Sequence, residues 1–454
     1  MHLRSIGFGV LILCSVVCES AFAQRHGPFS DRTAVVTWRS GDVAREVRNR
    51  PTPLMQAIQA RVTWVSELVP GLSIVTFPPG DAELLVEWMR LDPDAVDVLV
   101  DAWGSAASIP NDPKYPEQYQ NYTSFRTCLE SGWDVHRTSN VMVAVLDTGV
   151  WYSTSDMIPN HRVKSVEQLG VNCHDDDSNG ISDDVHGAVF ITDPNCCDPS
   201  PPCAPRSDPI IENDWHGNHV QSILGAAGNN LKGISGIVWN GSLLSVRVIS
   251  DFGWLVSDLV KGMEYAHNEG ARIMNMSLEG TYQPGQSAAV FEPIRQVMLN
   301  TPDTLYVVAA GNNGAIGIDL DATIGPGLDR YPAEFDCQNM LVVGASDGSD
   351  KRANFSNYGS VSVDVFAPGV HILGVAYPDD SFFHVSGTSQ ATPIAAGIAA
   401  ILLDYNASLS AVQLRDSDRS LGTVVPALTG ECVGAGGSSC TRVNLRSALG
   451  GVCP

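Results

Sequence analysis

The chain has 454 residues, 44% of them hydrophobic, and a formal net charge of −23. The apolar content excludes a disordered chain, and the length supports two or three domains. The acidic balance excludes a nucleic-acid partner, since phosphate binding needs a basic surface, and it suits a soluble exported protein.

The chain opens on Met1 to Arg4, an apolar run from Ile6 to Val17, and the small-x-small triplet Ala21-Phe22-Ala23. This is the pattern of a secretory signal with cleavage after Ala23, so residues 1–23 are expected to leave and the protein to be secreted. The run is too short to anchor the chain, no later stretch is long enough to span a bilayer, and no lipid-anchor tail follows, so no membrane partner is expected. Of eleven cysteines, Cys14 and Cys18 depart with the signal and nine remain. Export favours disulfides, and an odd number leaves at least one thiol over. No cysteine spacing matches a zinc site.

Residues 24–107 read as a separate small α+β unit. Ala34–Trp38 reads as a strand, Pro53–Val62 as a helix and Leu72–Phe77 as a strand. Asp81–Leu91 reads as an amphipathic helix capped by Asp81, and Val96–Ala102 alternates as an edge strand does. Gly104–Pro113 is a linker of small residues and prolines, and residues 108–454 form the second domain.

In that domain Val141–Leu146 is a buried-strand pattern ending in Asp147-Thr148-Gly149, the usual functional edge of a parallel α/β sheet. Between Asp147 and the next histidine motif runs an acidic loop, in which Asp175, Asp177, Asn179 and Gly180 have the spacing of a calcium loop. The twelfth position, where such a loop needs a bidentate Glu, holds His186, so this is no EF-hand. Asp175, Asp177, Asn179 and Asp183 are the candidate ligands for a structural calcium ion, against the plainer reading of a solvated acidic surface. His216 precedes an apolar run from Val220 to Ala227. Leu243–Ile249 and Ala271–Met276 read as strands, Val256–Gly270 as a helix, and Leu305–Ala310 as a buried strand ending in Gly311-Asn312. Gly387-Thr388-Ser389 then opens a nearly all-apolar helix, which must be buried. The N-terminus of a helix carries partial positive charge and free N–H groups, so Ser389 sits where a developing oxyanion would be stabilised.

The order Asp147, His216, Ser389 with these local motifs resembles the subtilisin family of serine proteases from about Pro110 to about Leu449. The resemblance implies a mostly parallel sheet with helices on both faces, preceded by a small ferredoxin-like propeptide that inhibits the enzyme. It implies an endopeptidase acting on polypeptide substrates as a monomer, with no cofactor for catalysis. Asp147, His216 and Ser389 would form the triad, and Asn312 the oxyanion hole. Ser277, Leu278, Glu279 and Gly280, with Ala310 and Gly311, would line the substrate edge. Maturation would fall within Gly104–Ile109, and Arg442–Leu449 would form the last helix. Trp215, Asn218, Gln221, Ser222 and Gln390 depart from the family pattern but remove no reacting group. His219 and His384 are read as structural. An α/β-hydrolase is excluded by chain order and by the missing G-x-S-x-G elbow, which leaves a catalytically dead binding protein on the same scaffold as the alternative.

Overall fold

The computed structural model describes residues 29–77, 86–87, 89–102, 109–118, 127–151, 153–171, 173–192, 214–313, 317–322, 329–376, 381–433 and 440–451. Residues 1–23, read as a signal, positions 104–108 of the expected maturation segment, and Cys196, Cys197, Cys203 and Cys453 lie outside the described residues. The chain divides into two units, Met1–Ala106 and Ala107–Pro454.

In the first unit, β1 (Phe29–Trp38), α1 (Gly41–Asn49), α2 (Pro53–Ala57), β2 (Arg61–Val65), β3 (Leu72–Thr76) and β4 (Ala95–Ala102) follow in order. The sheet order is β2-β3-β1-β4 with antiparallel neighbours, the arrangement of a ferredoxin-like α+β fold. The expected helix Pro53–Val62 ends at Ala57, because Gln59 takes a left-handed conformation and the next residues pair with β3. Burial of Val62 and Val65 on the sheet outweighs helix propensity there. Only part of the expected helix Asp81–Leu91 is described, and there Val86 and Met89 are helical and buried. Helix α1 escapes a reading of hydrophobic periodicity because it buries only Ala44 and Val47, with Val43 partly buried beside them.

The second unit is built on nine strands in the order β14-β15-β11-β10-β9-β8-β5-β7-β6. In chain order these are β5 (Thr138–Asp147), β6 (Gly187–Val189), β7 (Asn240–Arg247), β8 (Ile273–Met276), β9 (Leu305–Ala309), β10 (Met340–Ser346), β11 (Val365–Pro368), β14 (Thr423–Val424) and β15 (Thr441–Arg442). Every pairing is parallel except β14–β15. Strand alternation sends Val143, Val145, Ile273 and Val307 to one face, against α3 (His216–Gly225) and α6 (Thr388–Tyr405). Ala144, Leu146, Met274 and Val308 point the other way, onto α4 (Val256–Asn268) and α5 (Glu292–Asn300). Burial on both faces is why these strands read as unbroken apolar runs rather than alternating ones. A separate hairpin, β12 (Ile372–Val375) with β13 (Phe382–Val385), lies ahead of α6 in the chain, and α7 (Ala411–Leu421) follows it.

The expected last helix Arg442–Leu449 is divided. Arg442 belongs to β15, and only Leu445–Ala448 is helical, capped by the Asn444 side chain accepting the Ser447 N–H. Cys432 and Cys440 form a disulfide, Cys128 and Cys173 are also disulfide-bonded, and Cys337 is a buried free thiol that burial pushes up to about 11.

Candidate active site

The parallel sheet aims the C-terminal ends of β5, β8 and β9 at one edge, and α3 and α6 begin there. Asp147, the last residue of β5, is buried, and its Oδ1 meets His216 Nδ1 at 2.7 Å. The same oxygen accepts the Thr148 N–H at 2.7 Å. The turn after β5 and the start of α3 approach so closely that a Cβ on Gly217 would lie 2.2 Å from the Gly149 carbonyl oxygen, so only glycine fits. Burial opposes a charged His216 imidazolium, but the Asp147 carboxylate beside it, and Asp214 behind it, outweigh burial and hold the pKa above the ordinary histidine value. Asp214 also accepts the His216 backbone N–H at 2.8 Å.

Ser389 occupies the second residue of α6. Pro393, four residues on, has no N–H to offer its carbonyl, which accepts the Ser277 hydroxyl at 2.9 Å instead. The Ser277 hydroxyl in turn takes the Asn275 amide N–H at 3.0 Å, so the first turn of α6 is tied to the end of β8. The Ser389 hydroxyl donates to the Ser277 carbonyl at 3.3 Å, rather than to His216. Asn312, just past β9, accepts the Thr388 N–H at 2.9 Å through its side-chain oxygen. Its amide nitrogen is left facing the Gly387–Ser389 turn, 3.8 Å from where a Cβ on Gly387 would stand.

Ser277 and Leu278 are buried at the end of β8, and Ala310 and Gly311 are buried at the end of β9. Gly280 does not offer a free strand edge. Its N–H and C=O are both paired with Tyr331, at 2.8 and 2.9 Å. The expected extended edge therefore ends before Gly280. The Glu279 side chain, 35% exposed, lies over Gly311 with its Oε2 buried 3.5 Å from Arg330 Nε. The shallow pocket lined by His267, Arg272 and Asp303 sits at the opposite, N-terminal ends of β8 and β9 and plays no part in this site.

A sequence profile of the subtilase family matches residues 138–417, well over half of the chain. The chain belongs to the subtilase family. It is 30% identical over 419 residues to an extracellular basic protease of Dichelobacter nodosus, covering 85% of this subtilase and 65% of that relative. It is 34% identical over 213 residues to an alkaline protease of Alkalihalobacillus alcalophilus, covering 47% of this chain and 50% of the other. The subtilase thus spans about half to two thirds of the length of these relatives. A solved structure of a Pseudoalteromonas arctica protease superposes with a TM-score of 0.55 at 25% identity, over 76% of this chain and 99% of that one.

The residues that depart from the usual subtilase pattern are accommodated in α3. Asn218 accepts the Trp151 N–H and donates to Ala376, Gln221 bonds His161 and Ser245, and Ser222 accepts the Val375 N–H. Trp215 packs against His216, His219 and Phe383. His219 is fully buried, bonds the Phe383 carbonyl, and burial lowers its pKa to about 4, as suits a structural residue. His384 is exposed beside His371 on the hairpin.

The four candidate calcium ligands of this subtilase do not assemble. The Asp183 carboxylate accepts the Cys173 N–H, while the Asn179 oxygen takes the Ile181 N–H and its amide donates to Asp184 and Glu269. Asp175 and Asp177 gather with buried Glu167 instead, with ligand oxygens within 4.8 Å of one another. Lys164 is bound to Asp177, Asp184 and Glu269, so part of the positive charge a cation would bring is supplied from within the chain. Sequence reasoning missed Glu167 and Lys164, which lie outside the calcium-loop spacing, and Asp214, whose position two residues before His216 is the one local signal available.

Proposed function

We propose that the protein is a secreted serine endopeptidase that uses Asp147, His216 and Ser389 as its triad. The observation that carries this reading is the 2.7 Å contact from buried Asp147 to His216 Nδ1, at the same sheet edge as Ser389 on the first turn of α6. In the reaction the Ser389 hydroxyl turns from the Ser277 carbonyl to His216, gives its proton to Nε2, and attacks the peptide carbonyl carbon. Asp147 holds Nδ1 protonated and stabilises the imidazolium. The tetrahedral oxyanion takes hydrogen bonds from the Asn312 amide and the Ser389 N–H. Collapse expels the amine with the proton from Nε2, and water repeats the sequence on the acyl-enzyme.

Residues 24–107 serve in this reading as a propeptide that inhibits the enzyme until cleavage within Gly104–Ile109, and export follows from the signal-like start of the chain. A structural cation is assigned to Glu167, Asp175 and Asp177, whose clustered carboxylates repel one another. The extracellular and alkaline proteases among the relatives support the activity class.

The test is labelling of the secreted protein with a phosphonyl fluoride, followed by peptide mapping. The label is expected on Ser389 alone, and neither Ser389→Ala nor His216→Ala is expected to label or to hydrolyse a peptide. An unlabelled wild-type protein, or hydrolysis by purified His216→Ala, overturns the assignment.

A further inference from the structure

In the endopeptidase reading, the substrate side chain next to the scissile bond would lie in the wedge between the ends of β8 and β9, beside Ser389. Ser277, Leu278 and Glu279 form one wall, and Ala310, Gly311 and Asn312 the other. The first wall is fixed to the nucleophile through the Ser277–Ser389 contacts, the second through the Asn312–Thr388 bond.

Glu279, with its side chain 35% exposed, reaches into that wedge with its Oε2. Its Oε2 would be 2.0 Å from a Cβ on Gly311, so the carboxylate rests directly against the Gly311 backbone, which has φ +95°. Arg330, itself buried, faces it with Nε at 3.5 Å. Arg330 has little freedom to retreat. Its Nε donates to Asn313 Oδ1 at 2.9 Å, its Nη1 to the Asp329 carbonyl at 3.0 Å, and its own N–H to Glu334. Glu279 Oε2 is buried with no hydrogen bond among the described residues. Burial raises the Glu279 pKa, with Arg330 and the Asn312 N–H opposing.

We propose that the Glu279–Arg330 pair closes the subsite next to Ser389 and confines cleavage to peptides whose residue on the acyl side of the scissile bond (P1) is small and uncharged. A large apolar side chain would have to expel the carboxylate from its place against Gly311 and break its contact with Arg330. A basic side chain would be drawn to Glu279 but repelled by Arg330, and an acidic one the reverse, so neither charge is rewarded. This inference rests on the endopeptidase reading and names its substrate class.

The experiment measures kcat/KM for peptides that differ only at P1, carrying Ala, Phe, Lys or Glu. Wild type, Glu279→Ala and Glu279→Gln are compared, each normalised to the fraction of molecules that a phosphonyl fluoride titrates. Wild type is expected to favour Ala over each of the others by about tenfold or more. Glu279→Ala is expected to raise the Phe/Ala ratio by about tenfold or more, because the wedge opens. Glu279→Gln keeps the volume but not the charge, so it should still exclude Phe while accepting Glu better than wild type does. Wild type cleaving Phe as well as Ala, or a Phe/Ala ratio unmoved in Glu279→Ala, overturns the proposal. Failure of the endopeptidase reading looks different, since then wild type neither titrates nor cleaves any of the four peptides.

Discussion

Asn312 is oriented by the segment it would serve. Its side-chain oxygen accepts the Thr388 N–H at 2.9 Å, which turns the amide nitrogen toward the Ser389 turn. Asn312→Ala should therefore lower kcat by about 10²–10³-fold with KM nearly unchanged, the range known for an oxyanion-hole asparagine in subtilisin itself. Steady-state kinetics on titrated enzyme decide it. A loss confined to KM would mean that Asn312 only shapes the binding site.

The pH profile should report Asp214. His216 must be neutral to accept the Ser389 proton, and its pKa is held above the ordinary value by Asp147 and Asp214 against burial. The acid limb of kcat/KM is expected above the ordinary histidine value of 6.5. Asp214→Asn removes one of the charges that favour the imidazolium, so the limb should move to lower pH, with the plateau retained. A limb that stays in place, or moves upward, would show that Asp214 does not set the histidine's charge.

Two buried histidines should make the fold acid-sensitive. Burial lowers His161 to about 3 and His219 to about 4, both below the ordinary value of 6.5. Each binds a proton more readily unfolded than folded, so its contribution is complete above the unfolded value and is lost as pH falls toward the folded one. The slope is up to about 1.4 kcal/mol per pH unit for each histidine. Urea unfolding of Ser389→Ala, chosen to prevent self-digestion, should show stability falling from about pH 6.5 to about pH 4. Adding His219→Gln should flatten that slope. An unchanged slope would assign the acid sensitivity to other groups.

The acidic loop makes a weaker demand for a metal ion than its spacing implied. Lys164 already meets Asp177, and among the described residues only Glu167, Asp175 and Asp177 cluster. If a calcium ion binds only the folded chain there, a chelator should lower the melting temperature, and Glu167→Gln should abolish that dependence. A melting temperature insensitive to both chelator and added calcium would leave Lys164 as the cation of this loop.

The triad candidates were legible because each ends or begins an element that the sequence marks clearly. Asp147 closes an apolar strand, Ser389 opens a helix that is mostly apolar from Ala391 to Leu403, and His216 opens the helix that carries Val220, Ile223 and Leu224. What escaped was set by partners distant in sequence. Glu279 reads as one residue of the substrate edge, and nothing in the sequence places it beside Arg330, 51 positions on. Asn179 fits a ligand pattern until Asp184 and Glu269 claim its amide. The helix α2 stopped early for a related reason, because pairing of β2 with β3 decides the fate of Val62 and local propensity does not.

A protease in solution is always surrounded by copies of itself. From Gln390 to Leu403 every residue of α6 is buried, and this helix runs into the core from Ser389. The helix that follows Ser389 is thus a part of the chain that a second molecule can reach last. Self-digestion must begin at exposed segments elsewhere, and the rate at which activity decays in a concentrated sample should follow global unfolding rather than local fraying near the nucleophile.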